Sequence, residues 1–159
     1  MGKRKVKSGF TLIELIVVVL LLSIVTGLAV PRFKRTFSEL QLKSSAFNLY
    51  KMLQFARDRA IVEGARFRIH FDFERRSYRL LKAPDKEDRT PAYKITPGRF
   101  GKKIVLPETI RIEGHPADLT CYPDGTCMNA AIRLSGEGGA FEVLISGLGG
   151  VVRIREADL

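Results

Sequence analysis

The sequence predicts an α+β protein: a long N-terminal α-helix, its first part long and apolar enough to cross a membrane, followed by an antiparallel β-sheet domain. Three observations carry this reading. From Phe10 to Val30 there are 21 residues, and Glu14 is the only charged one. From residue 32 to about 64, apolar positions recur mostly at spacings of three and four, the period of a helix with one buried face. After Gly64 the period drops to two, the mark of half-buried strands.

Size and charge bound the problem. A chain of 159 residues holds one compact domain plus an appendage. Hydrophobic content of 45% and charged content of 28% fit a folded protein rather than a disordered one. The net charge of +10 makes the surface attractive to polyanions in a salt-dependent way. Lys3, Arg4, Lys5 and Lys7 supply four of those charges, so a chain beginning at Phe10 carries +6. There is no Trp, and there are two His and two Cys. Cys121 and Cys127, in CYPDGTC, read as thiols in a cytosolic protein and as a disulfide in an exported one.

The N-terminal stretch KSGFTLIELIVVVLLLSIVTGLAVPRF comes first in the chain. A helix over Phe10–Val30 would extend about 31 Å, the thickness of a bilayer core. A secretory signal peptide would have this basic start but a shorter apolar run and a small-residue cleavage site at its end. A plain signal anchor accounts for length and charge but gives Glu14 no purpose, although a carboxylate in hydrocarbon is expensive. Cleavage between Gly9 and Phe10 supplies the purpose. It would create an α-amino group four residues from Glu14, and positions four apart share a helix face.

Gly9-Phe10-Thr11-Leu12-Ile13-Glu14 resembles the class III signal of type IV prepilins and pseudopilins. The resemblance implies that residues 1–9 are a leader removed by a prepilin peptidase and that Phe10 is then N-methylated. It implies that Glu14 docks each subunit against the N-terminus of a neighbour in a filament. Pro31 matches the proline that commonly kinks or loosens the pilin helix, as an interior proline must. Arg32, Lys34 and Arg35 follow the span closely, so the positive-inside rule orients it only weakly. The resemblance implies a single pass through the bacterial inner membrane, N-terminus cytoplasmic and body periplasmic, before entry into the filament. The cysteines then sit where oxidation is expected.

The remaining elements follow in order. Residues 31–64 continue the helix past a bend at Pro31. Its apolar positions are Phe33, Phe37, Leu40, Phe47, Leu53, Ala56 and Ala60, expected to pack on a sheet, and Gly64 is its C-cap. Residues 65–159 form the β-rich domain. In ARFRIHFDF, Phe67, Ile69, Phe71 and Phe73 alternate with polar residues, and SYRLLK completes a hairpin. His70 falls on the polar face and reads as a solvated residue. Residues 82–103, with Pro84, Pro91, Pro97, Gly98 and Gly101, read as irregular chain. Strands are expected in KIVL, TIRIEG, DLTCY, AAIRLS, AFEVLIS and VVRIR. Gly136–Gly139 and Gly147–Gly150 are hairpin turns. Pro123-Asp124-Gly125 is a β-turn that brings the two cysteines together. A disulfide across it is the preferred reading, while zinc would need four ligands and finds only two remote histidines.

This layout is similar to the GspH/FimT branch of the pilin superfamily, the minor pseudopilins of type II secretion and related minor pilins. FARDRAIVEGARFRIHF at 55–71, YPDGTC and the final Gly-rich hairpin carry that likeness, which implies a pilin-like body of two sheets. The implied role is a structural subunit at or near the tip of a periplasmic pseudopilus, supporting protein secretion. Its implied partners are other pseudopilins or pilins, the prepilin peptidase, the inner-membrane assembly platform and a secreted substrate. No cofactor is implied, and no phosphate loop, HExxH or nucleophile elbow points to catalysis. The alternative is a FimT-like minor type IV pilin that binds DNA for natural transformation. Arg153 and Arg155, with Arg133 nearby, are the candidate DNA contacts, since phosphate binding needs only clustered cations. The family's pattern there is Gly-Arg-x-Arg, whereas Val151 and Val152 here separate Gly150 from Arg153.

Overall fold

The computed structural model describes residues 10–84 and 92–157, with the backbone alone at 28–35, 99 and 148. Gly9 and the rest of the leader lie outside the described residues, as does the middle of the charged loop. The chain forms two compact units, one ending at Thr36 and one running from Phe37. Helix α1, Leu12–Glu63, contributes to both, and its helical assignment continues through Pro31. The side chain of Pro31 is outside the described set.

In the first unit every described side chain from Phe10 to Gly27 is exposed. No helix of the described residues is long and apolar enough to cross a membrane. The apolar stretch itself runs on to Val30, past Gly27, where side-chain description stops. Thr11 begins the helix. Its Oγ1 accepts a hydrogen bond from Glu14 N–H at 3.3 Å, satisfying one of the amides a helix start leaves open. Thr11 and Glu14 thus occupy the first and last positions of a Thr-x-x-Glu capping pattern.

The second unit has its own core. Among the described residues, nine strands follow α1: β1 Phe67–Asp72, β2 Ser77–Lys82, β3 Lys94–Ile95, β4 Ile104–Val105, β5 Arg111–His115, β6 Asp118–Cys121, β7 Ala130–Gly136, β8 Gly139–Ser146 and β9 Val151–Ala157. They make two antiparallel sheets. The first runs β3-β2-β1-β6, with β4 also pairing to β2, and the second runs β5-β7-β8-β9. Phe67, Ile69, Phe71, Leu80 and Leu119 of the first sheet join Ile112, Ile132, Leu134, Val143 and Ile145 of the second in one buried cluster with α1.

The stripe that α1 buries matches the expected one at Leu53, Ala56 and Ala60 and departs from it elsewhere, while the side chain of Phe33 lies outside the described set. Leu42, Ala46, Leu49, Met52, Leu53, Ala56 and Ala60 are buried, whereas Phe37, Leu40 and Phe47 are exposed. Both sets have helical spacing, so periodicity alone does not choose between them. Side-chain size supplies a reason. Ala46, Ala56 and Ala60 are small enough for the helix backbone to lie close to both sheets, and three bulkier residues there would overfill the core. Gly64 ends the helix with φ 58°, the left-handed conformation expected of a C-terminal cap.

The expected strands match closely at SYRLLK and within one to two residues elsewhere. The segment 82–103 is less irregular than expected. It supplies β3 and a 3-10 turn at Arg99–Gly101, and two aromatic contacts fasten it. Tyr93 lies 3.9 Å under the Arg68 guanidinium, and Phe100 meets Phe55 of α1 at 4.8 Å between ring centres. Neither contact has a local sequence signature, because both depend on the sheet being formed. Gly147–Gly150 is also tighter than a simple hairpin turn. Leu148–Gly150 is 3-10, with φ of 80° and 57° at Gly149 and Gly150.

Candidate functional site: the helix start and the outer face of the second sheet

The expected site residues fall in three places. Phe10 and Glu14 open α1. Phe10 is 79% exposed, and the apolar side chains behind it from Leu12 to Val25 are exposed as well. An amphipathic soluble helix would bury one face. Among the described residues, this one buries none of its apolar side chains from Leu12 to Val25, an exposed apolar surface of the kind that marks an interaction site. Glu14 stands alone among these apolar neighbours, at the end where the helix dipole favours a negative charge. The capping role of Thr11 was missed from the sequence, although Thr-x-x-Glu was present to signal it.

Cys121 and Cys127 form a disulfide, with Cα atoms 4.1 Å apart. The turn between them is closed independently of sulfur. Tyr122 N–H donates to Thr126 O at 2.8 Å, and Gly125 N–H to Tyr122 O at 3.0 Å. Asp124 Oδ1 accepts from both the amide and the hydroxyl of Thr126, at 2.9 and 2.7 Å. Those bonds hold the Asp124 carboxyl below its ordinary value, the Thr126 hydroxyl contributing most. Gly125 has φ 82°, a conformation that favours glycine. Among the described residues, no three His, Cys, Asp or Glu side chains gather to hold a metal ion.

Arg133, Arg153 and Arg155 lie on the outer, exposed face of the second sheet, as the alternation of β7 and β9 requires. Register shows what accompanies them. Glu113 of β5 faces Arg133 of β7, Arg133 faces Glu142 of β8, and Glu142 faces Arg155 of β9. The row alternates acid and base across all four strands. Arg155 Nε donates to Glu142 Oε2 at 2.7 Å. Arg153 sits one row away, opposite Leu144. The sheet therefore brings the three arginines onto one face but places two carboxylates among them. A phosphate approaching Arg133 or Arg155 would meet Glu142 between them.

A second feature of this unit was missed. Leu40 and Phe47 on the exposed stripe of α1 face Phe141 of β8 and Ile154 of β9 across an apolar groove of about 510 Å³. Lys43, Arg155 and Glu156 stand at its rim. The signal was the pair of apolar stripes on one helix, only one of which a core can use.

His70 is not simply solvated. Its Nδ1 lies 2.7 Å from Asp118 Oδ1, and the Asp118 carboxylate also meets Arg68 at 3.6 Å. The partner comes from β6, 48 residues away, so strand pairing supplies it rather than local sequence.

Comparison with known proteins bears on both ends of the chain. Residues 4–30 match the family model described as the prokaryotic N-terminal methylation motif. No curated protein matches the sequence. Two structures of the minor pseudopilin EpsH, from the type 2 secretion system of Vibrio cholerae, are similar in fold. One has TM-score 0.63 and 17% identity and covers 73% of this chain and 97% of that one. The other has TM-score 0.61 and 16% identity, covering 73% and 94%. The type IV minor pilin FimU of Pseudomonas aeruginosa is similar with TM-score 0.51 and 19% identity, covering 73% and 87%. The chain thus carries a prepilin-type N-terminal motif and has a pilin-like α+β fold.

Proposed function

We propose that this chain is a minor pseudopilin of a type II secretion system, a structural subunit at or near the tip of a periplasmic pseudopilus. The carrying observation is the coincidence of the methylation motif over residues 4–30 with a body similar in fold to EpsH, at TM-score 0.63. In this reading the leader ends at Gly9, Phe10 becomes the methylated terminus, and residues 10–30 anchor the chain in the inner membrane before assembly. The exposed apolar side chains of α1 then bury against the helices of neighbouring subunits, and Glu14 is neutralised by the Phe10 amine of a neighbour. The groove of Leu40, Phe47, Phe141 and Ile154 offers further apolar surface to that assembly.

The test separates processing from assembly. Co-expressed with a prepilin peptidase, the chain should shorten by its leader, as read by mass, and Gly9→Leu should block this. Glu14→Ala should still be cleaved yet fail to enter filaments. A Gly9→Leu chain cleaved normally would remove the proposed site, and a Glu14→Ala chain assembled normally would remove the docking role.

A DNA-binding minor pilin is the second reading, since the fold is also like FimU. The alternating Glu113, Arg133, Glu142, Arg155 row gives it less support than the bare arginines do, because a duplex would have to displace Arg155 from Glu142. Phosphate contacts are individually weak and salt-sensitive, so partly neutralised cations contribute little.

A further inference from the structure

The outer face of the first sheet holds a cationic cleft that none of the roles above uses. Across β6, β1 and β2, Asp118 faces His70 and His70 faces Arg79. Lys103 continues that row, one step beyond the Tyr78–Ile104 pair of β2 and β4. His70, Arg79 and Lys103, together with Asp72, Arg75 and Ser77, line a cleft of about 270 Å³.

The charges in the cleft do not balance. Asp118 is taken up by His70 and Arg68. Asp72 accepts a hydrogen bond from Arg75 N–H at 3.0 Å and stands 3.8 Å from the Arg75 guanidinium. Among the described residues, Arg79 and Lys103 have neither a hydrogen bond nor an ion pair. Cations on an exposed strand usually just meet water. The floor of the cleft argues for more. Ser77 is 1% exposed, lies on the same face of β2 as Arg79, and its Oγ has no hydrogen-bond partner among the described residues. A buried hydroxyl without a partner costs free energy, and native structures rarely leave one so. Here it lines a cleft rimmed by two uncompensated positive charges.

We propose that this cleft binds a phosphate-class oxyanion, with Ser77 Oγ–H donating from the floor and Arg79 and Lys103 donating from the rim. A guanidinium presents paired donors that suit a phosphate edge, and a lysine adds a point charge. Two unpaired cations match a doubly charged ion better than a carboxylate. The phosphate group is either a free ion or part of a small monoester, and the cleft is too small for much beyond it.

The test uses the full chain in a nonionic detergent at fixed ionic strength, with inorganic phosphate, glycerol 3-phosphate and acetate as separate probes followed by calorimetry. The expected result is saturable binding of inorganic phosphate or of the monoester in the millimolar range or tighter. Binding of the free ion alone assigns the cleft to inorganic phosphate, and binding of the monoester assigns it to a phosphorylated small molecule. Arg79→Gln combined with Lys103→Gln should weaken binding at least about tenfold, and Ser77→Ala several-fold. Arg111→Gln, on the other sheet, should change nothing. No saturable binding, binding indifferent to the cleft variants, or acetate bound as tightly as phosphate would each overturn the proposal.

Discussion

At the scale of single residues, an observed contact and a proposed one meet at Glu14. Its backbone amide is bonded by Thr11 at the helix start, and its carboxylate is the group proposed to meet a neighbour's terminal amine. Thr11→Val removes only the cap. It should cost the helix start about 1 kcal/mol while leaving filament assembly in place, read by circular dichroism and by filament yield. Loss of assembly in Thr11→Val as complete as in Glu14→Ala would mean that helix initiation, not charge, explains the glutamate. Tyr78 is a different case. It is buried in the core, and its hydroxyl finds no partner among the described residues. Burial pushes its pKa up from 10.0 to about 12. A group whose folded value is raised holds its contribution below the unfolded value and loses it as pH climbs toward the folded one. Stability should therefore fall between about pH 10 and pH 12, by on the order of 3 kcal/mol from this group. Tyr78→Phe should flatten that alkaline limb and raise stability at neutral pH by about 1 kcal/mol, since it deletes an unsatisfied hydroxyl. Denaturant melts at pH 7 and pH 11 check both, and equal pH dependence in the two proteins would contradict the assignment.

At the scale of elements, the sequence announced most of what is present, and the omissions share a cause. β2 was legible to the residue, because SYRLLK is bounded by a polar turn and by Pro84. The strands of the second sheet were legible because glycine turns punctuate them. β3 was not, since two residues between prolines form a strand only when Leu81 and Lys82 offer a finished edge. The buried stripe of α1 was read correctly at Leu53, Ala56 and Ala60 but not at Phe37, Leu40 and Phe47, because the helix carries two stripes and only the built sheets decide which one they cover. The arginines of β9 were placed correctly on the outer face. The neutralisation of Arg155 by Glu142 depends on strand register, which no local pattern reveals. The cysteine turn was legible as a whole, because Pro-Asp-Gly forces the reversal that the disulfide then locks. Replacing Cys121 and Cys127 together by serine should lower stability by no more than roughly 3 kcal/mol, since the closed loop is small and the Asp124–Thr126 bonds survive. A larger loss in a thermal melt would show that the bridge supports the sheet and not merely the turn.

At the scale of the whole molecule, the two units ask for different surroundings. The first exposes apolar side chains from Phe10 to Val25, while the second closes its own core from Leu42 onward. A prepilin-type N-terminus on a pilin-like body fits this division, and in the proposed reading lipid and then other helices hold the first unit. The basic net charge fits either secretion or DNA uptake, and the acid–base row on the second sheet tilts the balance toward secretion. The most direct measurement is a chromosomal deletion of the gene in its own host, scored in parallel for exoprotein release into the medium and for natural transformation. The account predicts that exoproteins accumulate in the periplasm, that transformation is unchanged, and that the wild-type chain but not Glu14→Ala restores release. Normal secretion with transformation lost, restored by the wild type but not by Arg153→Ala with Arg155→Ala, would contradict the account and establish the DNA-binding pilin in its place.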